Sequence, residues 1–416
     1  MNPATLLRDS LRDLSEFCSK GCGVRLGEGA AKALVDMLSD VEDCRVKGKV
    51  KHPLPELLAT CIWVALRGRF TSFLGLETHV RENAAEFSRL GLLRGGAIPS
   101  HDTYRAVFCG LKADSLRDSF MPKFEAAIER ILGFNPGWRS KAEIIEVDGK
   151  AFNGSGRKGR LRNANVLNVY KASSGLCVSS TPLADKESEI KAAQDQLRRR
   201  KLAGSIVTAD ALHCQRKTCG IIASRGGGYL ITAKGNQPEL QKEIEMLFAA
   251  AGDSLQVLRH NGAEYSAIAV GPHNSALGWP GCRAYARMVS HKRIGCADYS
   301  PAPQYFVSST DNLQLIAEAA DNRWQIEDGL HLFKDSFTQE DKCTFTNKGA
   351  IKTMAVVNNI VHAFYLFGAA IAGKDLRSAK EAWRDKPGKL LGIVLPLLRR
   401  TVEFRRIASR RARGRA

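Results

Sequence analysis

Apolar residues recur at three- and four-residue spacing through AAKALVDMLSDV (30–41), PELLATCIWVAL (55–66) and DSFMPKFEAAIERIL (118–132). That spacing predicts amphipathic helices, so residues 1–140 read as a helical N-terminal region. The run Pro99–Asp102 offers an N-cap before TYRAVF, and KVKHP (49–53) reads as a loop. After Pro136-Gly137 the period shortens. EIIEVDG, VLNVYKA and GLCVSSTPLA are short β-branched runs parted by turn residues, which predicts an antiparallel meander. A polar helix over 187–201, the buried strand SIVTAD, a helix over 214–224 and the strand GYLITAK complete the order βββαβαβ. That order predicts an α/β, ribonuclease-H-like mixed-sheet catalytic domain, with its first and fourth strands side by side.

The catalytic domain's first part is expected over 141–237. Irregular, strand-rich sequence over 238–310 reads as an insertion, helices resume over 311–398, and 399–416 forms a basic tail. The twenty uncharged residues Met354–Gly373 are long enough for a membrane span, but Asn358, Asn359 and His362 interrupt them. A buried helix, with no membrane partner, is the expectation.

With 44% hydrophobic and 25% charged residues over 416 positions, a disordered or fibrous chain is excluded and two or three domains are expected. The net charge of +19 favours a polyanionic partner, nucleic acid or an acidic membrane surface. Eight arginines against Glu403 make the tail contribute +7, and the remaining +12 belongs to the body. Eleven scattered cysteines lack the paired spacing of a zinc site and read as free thiols of a reducing cytoplasm. The N-terminus has no signal-peptide core, which also predicts a cytoplasmic location.

Asp148 and Asp210 each close an apolar run, and Gly149-Lys150 reads as a turn exposing the first carboxylate at a strand end. Neighbouring strands lie ~4.8 Å apart, so two such carboxylates can share a metal ion. A third is needed to hold two ions for in-line displacement at a phosphodiester. The stretch DNRWQIEDGLHLFKD offers Glu327, with Arg323, His331 and Lys334 at helical spacing on one face. Asp328, Asp335 and Glu340 are rivals for that role, and a solvated ion-pair ladder is the plainer reading of the same spacing. Lys150, Arg157, Lys158, Arg160, Arg162 and Lys234 surround the aspartates as candidate phosphate contacts; Trp324 could stack on a base, and His213 could approach a metal or a phosphate. The glycines of NGSGRKG lack the following Lys-Ser/Thr of a nucleotide P-loop.

Several ordered blocks resemble DDE-type insertion-sequence transposases of the H-repeat-associated (ISAs) family. IEVDGKAFNGS is similar to the first-aspartate block, DKESEI to the strand-to-helix segment after it, VTADALHCQ with GGGYLITAKGNQPEL to the second-aspartate block, and RWQIEDGLHLFKDSFTQED to the glutamate helix. HPLPELLATCIWVALRG with PSHDTYRAVF resembles the family's associated N-terminal region, so the likeness spans roughly residues 50–370. It implies a metal-binding catalytic triad of Asp148, Asp210 and Glu327, with Mg²⁺ as cofactor and Mn²⁺ able to substitute. DNA contacts are expected from Lys150, Arg157, Lys158, Lys234, Arg323 and Lys334. The Arg-x3-Glu-x6-Lys spacing of Arg323, Glu327 and Lys334 also resembles a wider transposase signature, although Ala320 stands where its tyrosine would be. Asp328, Leu332 and Asn153 depart from the family's usual Asn, Trp and Arg.

The expected function is therefore a DNA transposase acting on double-stranded transposon ends and target as a homodimer on DNA. The alternatives are a metal-dependent nuclease without strand transfer and a domesticated, catalytically silent DNA-binding protein.

Overall fold

The structure, a computed structural model, describes residues 26–46, 48, 50–132, 142–153, 164–183, 187–271, 278–294, 297–299 and 302–399. Among the described residues, six α-helices occupy the N-terminal region: α1 (Leu26–Met37), α2 (Leu54–Ala65), α3 (Phe73–Glu82), α4 (Ala84–Arg89), α5 (His101–Gly110) and α6 (Ala113–Leu132). Ser72 and Ser100 cap α3 and α5 by accepting the N–H groups of Gly75 and Thr103.

Strands β1 (Glu143–Phe152), β2 (Ala164–Lys171) and β3 (Leu176–Leu183) form the meander; α7 (Glu187–Arg198), β4 (Ser205–Ala209), α8 (Arg216–Ser224) and β5 (Gly228–Ala233) follow. β1 pairs antiparallel with β2 and parallel with β4, which in turn runs parallel to β5. The spatial order β3-β2-β1-β4-β5, with these directions, is ribonuclease-H-like.

The strand-rich segment does not stand apart from this sheet. After α9 (Pro238–Ala251) come β6 (Val257–His260), β7 (Ala263–Ala269), β8 (Ala284–Ser290), β9 (Lys292–Ile294), β10 (Ala297–Tyr299) and β11 (Gln304–Ser308). β11 pairs antiparallel with β5, and β8, β7 and β6 continue outward, so among the described residues one nine-stranded sheet results, with β9 and β10 paired separately. The outward strands cover what would otherwise be an open edge at β5.

The chain closes with α10 (Leu313–Asn322), an irregular stretch to 347, α11 (Lys348–Ile371), α12 (Leu376–Trp383) and α13 (Pro387–Arg399). α11 carries the uncharged run that begins at Met354. It is apolar and long enough to cross a membrane, yet 94% of its most apolar window is buried, against α2, α5 and α6 on one side and α12, α13 and β3 on others. N- and C-terminal helices therefore share one core, in which Phe70, Phe73, Phe108 and Phe345 stack and Tyr365 donates to the Leu66 carbonyl at 2.8 Å.

Two predicted boundaries differ. Gly149-Lys150 is not a turn: β1 runs on to Phe152, because β2 offers partners along the whole length (Gly149↔Leu167, Lys150↔Val166) after β4 has ended. Nor is 321–335 one α-helix. α10 stops at Asn322, and two π-helical turns, 326–331 and 334–338, follow, with the Leu332 and Gln339 N–H groups reaching carbonyls five residues back at Glu327 and Lys334.

Candidate active site

Side chains alternate along β1. Ile145 and Val147 pack among Val207, Ile222 and Ile244 on the face covered by α7, α8 and α9. Ile144 packs on the opposite face, with Ile206, Leu230, Phe306 and Ile316 of α10. Glu146, Asp148 and Lys150 continue along that second face, and each meets a successive part of segment 326–341. Glu146 Oε2 accepts the Ile326 N–H at 2.8 Å. Asp148 Oδ2 lies 3.4 Å from His331 Nδ1. Lys150 Nζ donates to Asp335 Oδ1 at 2.6 Å and to Asp341 Oδ1 at 3.4 Å.

Asp210 comes from the neighbouring strand. Val147 pairs with Ala209, so the next residues, Asp148 and Asp210, leave the β1–β4 ladder side by side at the carboxyl end of the parallel strands, where α/β sheets commonly place their ligands. Asp210 follows β4 directly and caps the 3₁₀ turn Ala211–His213, its Oδ1 accepting the Leu212 N–H at 2.9 Å.

Glu327 is exposed at the start of the first π turn. The turn is anchored from below, because Phe333 and Phe337 are buried in the helical core against Tyr365. Arg323 is half-buried, its guanidinium 4.1 Å from the ring centre of the exposed Trp324 and donating to Gln304 Oε1 at 3.5 Å.

Electrostatics join these groups into one site. Burial, then the negative charges of Glu327, Asp210 and Glu189, push the Asp148 carboxyl up to about 7. Burial also holds Glu146 well above the usual carboxylate range, against the opposing pull of the Ile326 N–H and Arg323. For Arg323, burial works to lower the pKa while Glu327, Asp210, Glu146 and Asp148 work to raise it, and burial prevails. His331 is driven well below its ordinary value, first by burial and then by Lys334 and Lys150.

Two lysines expected at phosphates are committed elsewhere. Lys334 is fully buried, 3.7 Å from Glu340 Oε1, which is equally buried and accepts from Asn358 Nδ2 at 3.0 Å. A π-helical turn takes on the order of 4.4 residues rather than ~3.6. Seven residues beyond Glu327 the chain has therefore rotated away from the Glu327 face. Lys150 is 7% exposed and paired as described, so of the rivals for the third carboxylate, Asp335 and Glu340 serve lysines and Asp328 remains exposed. Lys234 is exposed just beyond β5, whereas Arg157, Lys158, Arg160 and Arg162 lie outside the described residues.

Three further residues belong to this neighbourhood. Glu146 was visible as an acid two positions before Asp148 in an alternating run. Asn168 sits directly opposite Asp148 in the β1–β2 register. Glu189, in the DKESEI block, lies over Gly149: a Cβ there would come within 2.5 Å of its Oε1. His213 is buried beside it, with Nε2 3.4 Å from Glu189 Oε1.

Known families match this chain over two stretches. Residues 35–122 match the DDE_Tnp_1-associated family and residues 139–364 the transposase DDE domain. The second stretch exceeds half the chain, which belongs to the transposase DDE-domain family and is an enzyme of the DDE transposase type. Similar relatives include "H repeat-associated putative transposase YhhI" of Escherichia coli K12, 24% identical over 353 residues that cover 79% of this chain and 89% of the relative. "Putative transposase YncI" of Escherichia coli O157:H7 is 26% identical over 327 residues, covering 74% and 81%.

Transposase DDE domains work with divalent metal ions. The donor chemistry fits: Asp148, Asp210 and Glu327 offer only carboxylate oxygens, the ligands hard divalent cations take, and their mutual repulsion at Asp148 is what a bound cation relieves. Among the described residues no three acidic, His or Cys side chains already close into a chelating group, so cation binding would have to draw these carboxylates together.

Proposed function

We propose that this chain cuts and joins double-stranded DNA ends by two-metal phosphoryl transfer, with Asp148, Asp210 and Glu327 as the ligands of the two ions and Mg²⁺ as the physiological ion. The observation that carries the reading is the β1–β4 pairing, which brings Asp148 and Asp210 out side by side at the ends of adjacent parallel strands, where burial and the charges of Glu327 and Asp210 raise the Asp148 carboxyl. Bound divalent cations would activate the attacking water or 3'-hydroxyl and neutralise charge at the leaving oxygen.

The chain's own residues supply the frame. Asp148 and Asp210 project from adjacent strands, while the Phe333 and Phe337 anchors and the Glu146 contact hold the turn that carries Glu327. Arg323, stacked on Trp324 among the carboxylates, is suited to a DNA phosphate approaching them, and exposed Lys234 to a phosphate farther along the backbone. A homodimer on DNA would bring two such sites to two ends.

The test is a set of amide variants, Asp148→Asn, Asp210→Asn and Glu327→Gln, assayed with Mg²⁺ or Mn²⁺ on DNA carrying the element's ends. Each should abolish cleavage and end joining while affinity for the ends stays within about tenfold, since basic groups supply the phosphate contacts. Retained cleavage in all three would overturn the two-metal reading. Cleavage without joined product in the unaltered protein would make it a nuclease.

A further inference from the structure

His331 sits between Asp148 and a buried polar network that leaves its ring one protonation pattern. Asn168 Oδ1 accepts the Ser180 hydroxyl at 2.7 Å and Lys334 Nζ at 3.4 Å, and Ser180 in turn accepts from Asn359 Nδ2 at 2.9 Å. Turning the Asn168 amide over would set its NH₂ group against the Lys334 ammonium, so the carboxamide orientation is fixed. Its Nδ2 therefore faces His331 Nε2, at 3.2 Å, and donates to it. A ring nitrogen that accepts carries no proton. The proton of the neutral imidazole is then on Nδ1, the atom 3.4 Å from Asp148 Oδ2. At this distance the pair is an electrostatic contact rather than a formed hydrogen bond, and the Nδ1–H would have to close on Asp148 Oδ2 as a cation is bound.

The network is held from behind. Lys334 is pinned by Glu340, and Glu340 by Asn358 of α11, all of them buried. Asn168 is also the residue directly across the β1–β2 ladder from Asp148. The ring is thus placed by the sheet on one side and by the helical core on the other, with Nδ1 beside one oxygen of the aspartate.

We propose that His331 is a positioning residue for Asp148: a neutral imidazole whose tautomer Asn168 fixes, and whose Nδ1–H holds Asp148 Oδ2 so that the other oxygen is presented to a divalent cation. The inference rests on Asp148 being a metal ligand, as proposed above. Ligating carboxylates depend on such outer hydrogen bonds for their orientation.

The test uses the full chain with Mn²⁺ as probe and no DNA, so that cation affinity is read apart from activity. His331→Phe keeps the ring and removes the donor; it should weaken Mn²⁺ binding by about 10- to 100-fold. His331→Asn places an amide N–H near the Nδ1 position and should recover most of that loss, which a merely space-filling role would not produce. In the unaltered protein, ¹⁵N-histidine spectra should report His331 with a protonated Nδ1 and a bare Nε2, a measurement that needs no variant to fold. A protonated Nε2, unchanged Mn²⁺ affinity in His331→Phe, or equal losses in Phe and Asn would overturn the proposal. Asp148→Asn separates the two levels: if it too binds Mn²⁺ normally, the ligand assignment itself fails, whereas loss there with normal binding in His331→Phe removes only the role of His331.

Discussion

Glu146 Oε2 accepts the N–H of Ile326 at 2.8 Å, joining the middle of β1 to the first residue of the π-helical turn that carries Glu327. The two residues are 180 positions apart, and the glutamate is 1% exposed. Its burial holds it well above the usual carboxylate range, which favours the protonated, uncharged form as the acceptor of that N–H.

Glu146→Gln should therefore be nearly neutral for stability, because an amide preserves both the shape and the acceptor. Glu146→Ala should cost about 1–3 kcal/mol, since it leaves a buried N–H unpaired and opens a void. Urea midpoints on the two variants check this. A large loss in Glu146→Gln would mean that the buried group is ionised.

Gly149 faces Glu189 on the opposite side of β1 from Glu146 and Asp148. A methyl group there would stand 2.5 to 2.7 Å from all three carboxyl atoms of Glu189. Gly149→Ala should push that side chain off the strand and away from His213 Nε2, altering the charge next to Asp148 while leaving the β1–β2 register intact. The expected outcome is a stability loss of about 1–2 kcal/mol, relieved in the double variant with Glu189→Ala. An equal loss in single and double variants would place the strain elsewhere.

How much of this could be read in advance follows from where each contact comes from. The strand EIIEVDG, the strand-end SIVTAD and the order βββαβαβ are local patterns, and the sheet β3-β2-β1-β4-β5 forms on them. The burial of Lys150 and Lys334 is not legible in the sequence because their partners, Asp335, Asp341 and Glu340, are recruited by folding, and a basic residue beside a candidate site looks the same in sequence whether solvated or buried. The π turns were equally hidden. RWQIEDGLHLFKD satisfies α-helical spacing, and what widens the turns is tertiary: Phe333 and Phe337 sink into the helical core while Glu146 and Lys150 hold the same segment to β1.

Asp148 gives the site a pH signature. Its carboxyl titrates at about 7 in the folded chain against an ordinary 3.8, so between those values the folded state keeps a proton that the unfolded state has released. Stability is therefore lost as pH rises through this window, and the full penalty stands above pH ~7. Asp148→Asn removes the penalty. Without divalent cations, the variant should match the parent near pH 4 and exceed it at pH 8 by on the order of 1–3 kcal/mol. Mg²⁺ should narrow the gap by stabilising the parent alone. Thermal unfolding at the two pH values decides it, and a gap independent of pH would contradict the assigned cause.

Lys150 and Lys234 allow a crossed comparison, because both are lysines near the aspartates and only one is open to a phosphate. Lys150 is 7% exposed, and burial pulls its pKa down, but the Asp335 hydrogen bond with the charges of Glu340, Asp335 and Asp341 outweighs this and holds it raised. Removing it strands two carboxylates that are themselves about one-third exposed, which reduces the cost below that of a fully buried pair. Lys150→Ala should therefore destabilise the chain by about 1–3 kcal/mol and leave the salt dependence of DNA binding unchanged. Lys234→Ala should do the reverse: stability within about 0.5 kcal/mol, and a log–log salt slope shallower by up to ~0.9 if the ammonium meets one phosphate. Binding isotherms over a range of KCl concentrations, with urea midpoints on the same preparations, give both quantities. A shallower slope in Lys150→Ala would mean that DNA opens the Lys150–Asp335 pair and takes the lysine for itself.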